Sequence, residues 1–320
     1  MEAVMKKIFL TLIVLVMTVL TACGQTTYEK IDDDENFIAS VNTLQPSIDF
    51  FRSNGEKIAT WELDEAYTGA TLVGDEKMLL YGNQLKHADL VNLATGKVEK
   101  KIDVEKGATF AYYAKDSKQF FIANGEFNEV TAYTSDGEVN GKAKAGLYPY
   151  AMLTHDNQLF VVNFKDKFMS VFNEKTLKLE KKVPIPKSSH GMDFINEELW
   201  LGGHGDGEKP NSTVLRIDPK TSETIGKLDL PIMPIAFAKL HQSEFVLSHG
   251  ESTLYEIQNN KVKWQKEVGS NPFAITAFDG KIIVGGYDDR TLYWIENRKI
   301  VKKTKVGKGP FQLLVRERER

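Results

Sequence analysis

Cysteine is almost missing from this chain: Cys23 is the only one in 320 residues. A single thiol cannot close an internal disulfide or supply the several thiolates of a structural zinc site. A strong charge of one sign is missing too. The formal net charge is −3 at pH 7, which gives no global pull toward nucleic acid or an anionic bilayer. Lysine far outnumbers arginine, which argues against a phosphate-reading surface built on bidentate guanidinium contacts. No basic stripe is interleaved with aromatics, so nucleic acid is not an expected partner. The HExxH, GxSxG, Walker A and EF-hand patterns are all absent. Outside the first residues no helical periodicity is evident.

Long apolar runs are scarce as well. The one that stands out is the 13-residue, largely apolar stretch from Ile8 to Leu20, preceded by Lys6-Lys7. It is shorter than the roughly 20 residues of a membrane span and has the length of an export signal. Leu20-Thr21-Ala22-Cys23 resembles a lipobox, the processing site of bacterial lipoproteins. That resemblance implies a signal peptide over residues 1–22, a diacylglyceryl group on the Cys23 sulfur, and cleavage just before Cys23. It implies a cell-membrane location, lipid-anchored on the extracytoplasmic side. Gln25 to Asn36 (QTTYEKIDDDEN) is polar, acidic and without periodicity. Residues 23–36 are therefore expected to form a flexible tether, and residues 37–320 the folded body.

One unit recurs through that body. Its easiest mark is a hairpin whose turn reads Ser53-Asn54-Gly55, Ala94-Thr95-Gly96, Ser135-Asp136-Gly137, Glu174-Lys175-Thr176, Pro219-Lys220-Thr221, Asn259-Asn260 and Glu296-Asn297-Arg298. A second mark is the opening of each unit's first strand. These openings fall at Thr68, Thr109, Pro149, His190, Pro234, Pro272 and Pro310, at spacings of 38 to 44 residues. Proline suits a strand's first residue, where a ladder N–H can be missing. Four strands every ~40 residues is the period of a β-propeller blade. Pro310 to Val315 reads as a first strand with no blade after it, and Asn36 to Val41 as a second strand with no first strand before it. Joined, they make one blade from both chain ends and remove the open edges at the seam. The expected fold is all-β: a seven-bladed β-propeller with four antiparallel strands per blade. Arg316 to Arg320 is expected to be a solvated tail.

Particular segments resemble a YVTN-type, YncE-like propeller. Gln119-Phe120-Phe121-Ile122-Ala123-Asn124 and Gln158-Leu159-Phe160-Val161-Val162-Asn163 are similar to that family's second strand. Val214-Leu215-Arg216-Ile217-Asp218 is similar to its third strand. Val268-Gly269-Ser270-Asn271-Pro272 and Val306-Gly307-Lys308-Gly309-Pro310 are similar to its connectors. Leu93-Ala94-Thr95-Gly96-Lys97-Val98 also leans toward quinoprotein-type repeats, whose tryptophan motif is found here only at Trp61 and Trp264.

In propellers the connectors between blades and the loops between second and third strands share one face, the top. His87, His190, His204 and His249 map there, and His155 and His241 to the opposite face. The Gly202–Asn211 loop contains His204, Asp206 and Glu208 among four glycines and a proline. Its counterpart in the last blade carries Asp288. His190, His204, Asp206, Glu208, His249 and Asp288 are the candidate ligand-binding residues. Histidine and carboxylate in such loops can bind a divalent metal or orient a polar ligand, though the spacing matches no recognised metal signature and no cofactor is expected. The expectation is a monomeric binding or scaffold module for a protein or cell-envelope ligand. The alternative is a lactonase- or lyase-like propeller enzyme that uses the His190/His204 loop region.

Overall fold

The computed structural model describes residues 26–318, so the expected signal peptide over residues 1–22 and Cys23 lie outside the described residues. Within them 28 strands form seven four-stranded antiparallel sheets and there is no helix. Blade 1 is built from both ends of the chain, in the order Pro310–Arg316, Phe37–Asn42, Ser47–Phe51 and Lys57–Glu62. Blade 2 is Gly69–Val73, Lys77–Tyr81, His87–Asn92 and Val98–Asp103. Blades 3 to 7 follow over residues 108–144, 149–184, 189–229, 234–267 and 272–305. At the seam Phe37 pairs with Arg316, Ile38 with Val315 and Ala39 with Leu314.

The sequence pattern explains the layering. Second strands such as Gln119–Asn124 are buried along their whole length, because neighbouring blades cover both of their faces. Fourth strands alternate instead. Val98–Asp103 exposes Glu99 and Asp103 and buries Ile102. These outer strands are rich in lysine (Lys100, Lys101, Lys181, Lys182, Lys302, Lys303), which blunts an edge that could otherwise pair with another chain. The core sits between blades. Val73, Leu79 and Leu90 of blade 2 meet Ala111, Phe120 and Tyr133 of blade 3, and Ile38 and Phe51 of blade 1 meet Ile283, Leu292 and Trp294 of blade 7.

Pairing corrects the register of two openings. Asn163, Ser248 and Gly286 end the second strands of blades 4, 6 and 7, and they face Pro149, Pro234 and Pro272. The residues facing Asn124 and Gly203 are Ala108 and Ser189. Each true opening thus lies one residue before the Thr109 and His190 expected from sequence. His190 becomes a second-position residue like Tyr150, Phe273 and Phe311.

Two expectations about the chain ends change. Residues 26–36 are not a free tether over the described part. The Tyr28 N–H donates to Gly96 O at 2.7 Å and the Ile31 N–H to Leu93 O at 2.8 Å. Tyr28 and Ile31 are buried, Tyr28 against Trp61. Two apolar side chains and a few backbone bonds suffice to dock the arm across the blade 1–blade 2 junction. Arg316 is likewise no solvated end; it is buried. Its guanidinium donates to the carbonyls of Asp32, Glu35 and Asp75 and lies 4.6 Å from the centre of the Phe37 ring. It clamps the arm to the closing strand.

Candidate ligand-binding site

Second residues of the first strands, among them Tyr150, His190, Phe273 and Phe311, line the central channel, and in blade 3 the third residue, Phe110, adds the ring. Polar caps fix the strand ends around it. Asn124 Nδ2 donates to Lys106 O at 2.7 Å, Asn163 Oδ1 accepts from the Gly146 N–H at 3.0 Å, and Ser248 Oγ donates to Ile232 O at 2.6 Å. On this frame a string of rings runs round the mouth. Phe110 of blade 3 lies 6.4 Å from Tyr150 of blade 4, and Tyr150 lies 4.7 Å from His190 of blade 5. His190 meets His204 edge-to-face at 4.7 Å, and His204 meets His249 of blade 6 at 5.7 Å. His249 lies 4.1 Å from Phe273 of blade 7, and Phe273 lies 5.2 Å from Phe311 of blade 1. Between blades 1 and 2 the contact is polar: Gln312 Nε2 donates to Tyr81 Oη at 3.3 Å.

Below the mouth the channel holds a cavity of about 330 Å³, lined by Tyr150, Met152, His190, Met192, Phe273 and Phe311 among others. No aspartate, glutamate, lysine or arginine is among its lining residues. The imidazoles match that neutrality. Desolvation, followed by the neighbouring His204 and His249, pushes the His190 pKa down to about 3. Burial also lowers His204 and His249, while the hydrogen bond to the Pro272 carbonyl and then the nearby Asp288 carboxylate pull His249 partly back. His190 Nε2 lies 3.2 Å from Tyr150 Oη. His190 keeps some accessible surface, but its Nδ1, like that of His204, is shielded from solvent and has no hydrogen-bond partner. Deeper on the same strand, burial raises the Asp193 carboxyl to about 6.

Of the residues singled out from sequence, His190, His204 and His249 converge. Asp206 does not join them. Its carboxylate accepts the Lys209 N–H at 3.0 Å and caps its own turn, with Gly205 and Pro210 bridged at the loop's neck. Glu208 is exposed on the same loop. Asp288 is exposed at the blade 7 end, 3.4 Å from Asn271 Nδ2. His87 is held elsewhere by Glu65 at 3.1 Å. On the opposite face His155 stacks on Phe194, and His241 lines a separate pocket with Glu256 and Arg298. Among the described residues no three His, Cys, Asp or Glu side chains are arranged to hold a metal ion. Sequence reading missed Tyr150, Phe273 and Phe311. Their signal is the ring that follows proline in three of the openings, Pro149-Tyr150, Pro272-Phe273 and Pro310-Phe311.

The fold and its ring-lined mouth define a seven-bladed β-propeller. No protein-family model matches the chain, and no curated protein matches it. Solved structures do. A functionally unknown protein from Desulfotomaculum acetoxidans aligns with a TM-score of 0.70 at 11% identity, covering 88% of this chain and 99% of that one. A catalytically inactive histidine-to-alanine variant of virginiamycin B lyase from Staphylococcus aureus, solved with quinupristin, gives 0.64 at 15% identity over 80% and 94%. Apo AztD from Citrobacter koseri gives 0.60 at 12% identity over 88% and 96%. At these identities the likeness is one of fold.

Proposed function

We propose that this chain is a membrane-anchored, extracytoplasmic binding module that takes a protein or cell-envelope ligand on its top face, at the channel mouth. One observation carries the reading: rings from six blades converge on a single concave, uncharged mouth. Aromatic surface with a few polar edges is the usual composition of a recognition site. The lipobox-like Leu20-Thr21-Ala22-Cys23 and the apolar run before it support export and anchoring through Cys23. The in-register YncE-like repeats support the same kind of protein. A pull-down from solubilised membranes tests the reading. Wild-type protein recovers a partner that Phe273→Ser and His249→Ala lose and that His241→Ala, on the opposite face, retains. Repeated recovery of nothing, or equal loss in all three variants, refutes it.

A lyase-like enzyme is the second reading, favoured by the His190–Tyr150 pair and by the fold shared with virginiamycin B lyase. The electrostatics weigh against it. An imidazole whose conjugate acid has a pKa of about 3 is a weak general base at neutral pH. A thermal shift on adding Ca²⁺, Mg²⁺, Mn²⁺ or Zn²⁺ that disappears in His204→Ala would revive a metal-dependent version.

A further inference from the structure

Blade 5 is split. Its second and third strands, Glu198–Gly203 and Thr213–Ile217, share only three paired positions: Leu199 with Ile217, Trp200 with Arg216 and Leu201 with Leu215. The corresponding ladders have five or six pairs in every other blade. Beyond Leu201 and Leu215 the strands part, and the Gly202–Asn211 loop spans the gap. A cavity of about 640 Å³ lies in the split, lined by Leu201, Gly203, Thr213 and Leu215 and continued by residues of the blade 4–blade 5 connector.

The charge of this cavity is unlike that of the rest of the protein. Lys167, Lys187, Lys209 and Lys227 all line it, from four different segments, against one carboxylate, Asp206. All four lysines are exposed. Among the described residues none of their ammonium groups makes a hydrogen bond, a close ion pair or a ring contact, and only Lys209 acts through its charge on a nearby carboxylate, Asp206. Lysines elsewhere are commonly tied: Lys57 to Asp49, Lys77 to Glu99 and Asp136, Lys142 and Lys144 to Glu129. Asp206 is occupied as the cap of its own loop. A chain with a formal net charge of −3 thus gathers four cations round one groove, with the Asp206 carboxylate near Lys209 as the one opposing charge in the lining. Holding like charges together costs free energy that a bound anion returns.

We propose that the split in blade 5 is a binding groove for a phosphate-bearing anionic ligand with repeated charges, distinct from the neutral channel mouth. Lysine supports this choice. Its ammonium is a flexible point charge that suits a phosphate series, where a bidentate arginine suits one planar group. Ser212, exposed on the same lining, adds a hydroxyl donor, whereas the Ser189 and Thr213 hydroxyls already donate to Pro186 O and Asp229 Oδ1. The proposal does not depend on acylation of Cys23.

Inorganic polyphosphate is the probe, titrated calorimetrically into the full chain at several salt concentrations. Four contacts predict a log–log salt slope of about −3, by analogy with single-stranded polyanions. Neutralising the groove with Lys167→Gln, Lys187→Gln, Lys209→Gln and Lys227→Gln together is expected to weaken binding at least about tenfold and to flatten the slope. A control with Lys302→Gln and Lys303→Gln in blade 7 is expected to bind as wild type. Equal loss in the two variants shows attraction to net charge and overturns the groove, as does absence of binding at low salt. Tighter binding of polyglutamate than of polyphosphate overturns the phosphate assignment and points to an acidic protein instead.

Discussion

The Tyr28 ring lies almost flat on Trp61, with centroids 4.8 Å apart and planes 18° from parallel. The Trp61 indole N–H donates to Glu29 O at 2.8 Å. The arm is therefore held by the outer strand of blade 1 on one side and the Leu93–Gly96 turn of blade 2 on the other. Tyr28→Ala removes a buried aromatic and its stacking on Trp61, and about 2–4 kcal/mol of stability should go with it. Gly96→Ala reaches the same end from the other side. A Cβ there would lie 1.9 Å from Tyr28 O, and the residue's φ of +68° already disfavours a side chain. Limited proteolysis checks both variants. Each should be cut within residues 26–36 at a protease dose that leaves the wild-type arm intact, and equal resistance would show that the arm is not docked by these contacts.

Arg316 makes the second prediction. Its partners are backbone carbonyls, which cannot move away or change charge when it is replaced. Arg316→Gln should cost about 2–4 kcal/mol, because buried carbonyls of the arm lose charge-assisted donors. Urea denaturation measures the loss. A midpoint unchanged from wild type would show that the clamp contributes nothing to the seam.

How much of this was legible beforehand differs from part to part. Blade number and the two-ended closure could be read because hairpin turns and strand openings recur in register, and sequence reports such local signals directly. The arm could not be read. Tyr28 and Ile31 are two apolar residues in a polar, acidic stretch, too few to show a period, and their partners Trp61 and Leu93 are distant in sequence. The one-residue slips at Ala108 and Ser189 arose because neither blade opens with proline. Convergence of His190, His204 and His249 followed from placing connectors and second-to-third loops on one face. The caging of Asp206 by its own loop depends on backbone geometry that composition does not reveal.

Opposed pH effects on one strand make the third prediction. His190 is neutral in the fold down to about pH 3, whereas an unfolded histidine takes up a proton below about 6.5. Its contribution is complete above pH 6.5 and is lost as pH falls toward 3. Asp193 titrates near 6 in the fold, whereas an unfolded aspartate ionises near 3.9. Its contribution is complete below pH 4 and is lost as pH rises through 6. Between pH 4 and 6 the two cancel in the wild type. Asp193→Asn should gain on wild type by about 1.4 kcal/mol per pH unit across that window and level off above it. The advantage of wild type over His190→Gln should grow with the same slope as pH rises toward 6.5. Urea midpoints at pH 4, 5, 6 and 7 give both differences, and parallel curves for all three proteins would refute the linkage.

The fourth prediction tests how closely the blades approach at the channel. Gly191 sits where blade 5 meets blade 6, and a Cβ on it would lie 1.6 Å from Ile235 O. That atom belongs to the backbone of the next blade's first strand, which cannot shift without moving blade 6. Gly191→Ala should therefore cost more than about 3 kcal/mol and disturb the ring string at His190 and His204. Gly285 provides the contrast. Its nearest neighbours to a Cβ are the Pro310 Cβ and carbonyl oxygen at 3.6 Å, an ordinary contact distance, so Gly285→Ala should stay within about 1 kcal/mol of wild type. Thermal melting of the two variants side by side decides the matter. Near-equal melting temperatures would mean that blades 5 and 6 can separate at the mouth, and the ring string would then be a yielding surface and not a fixed one.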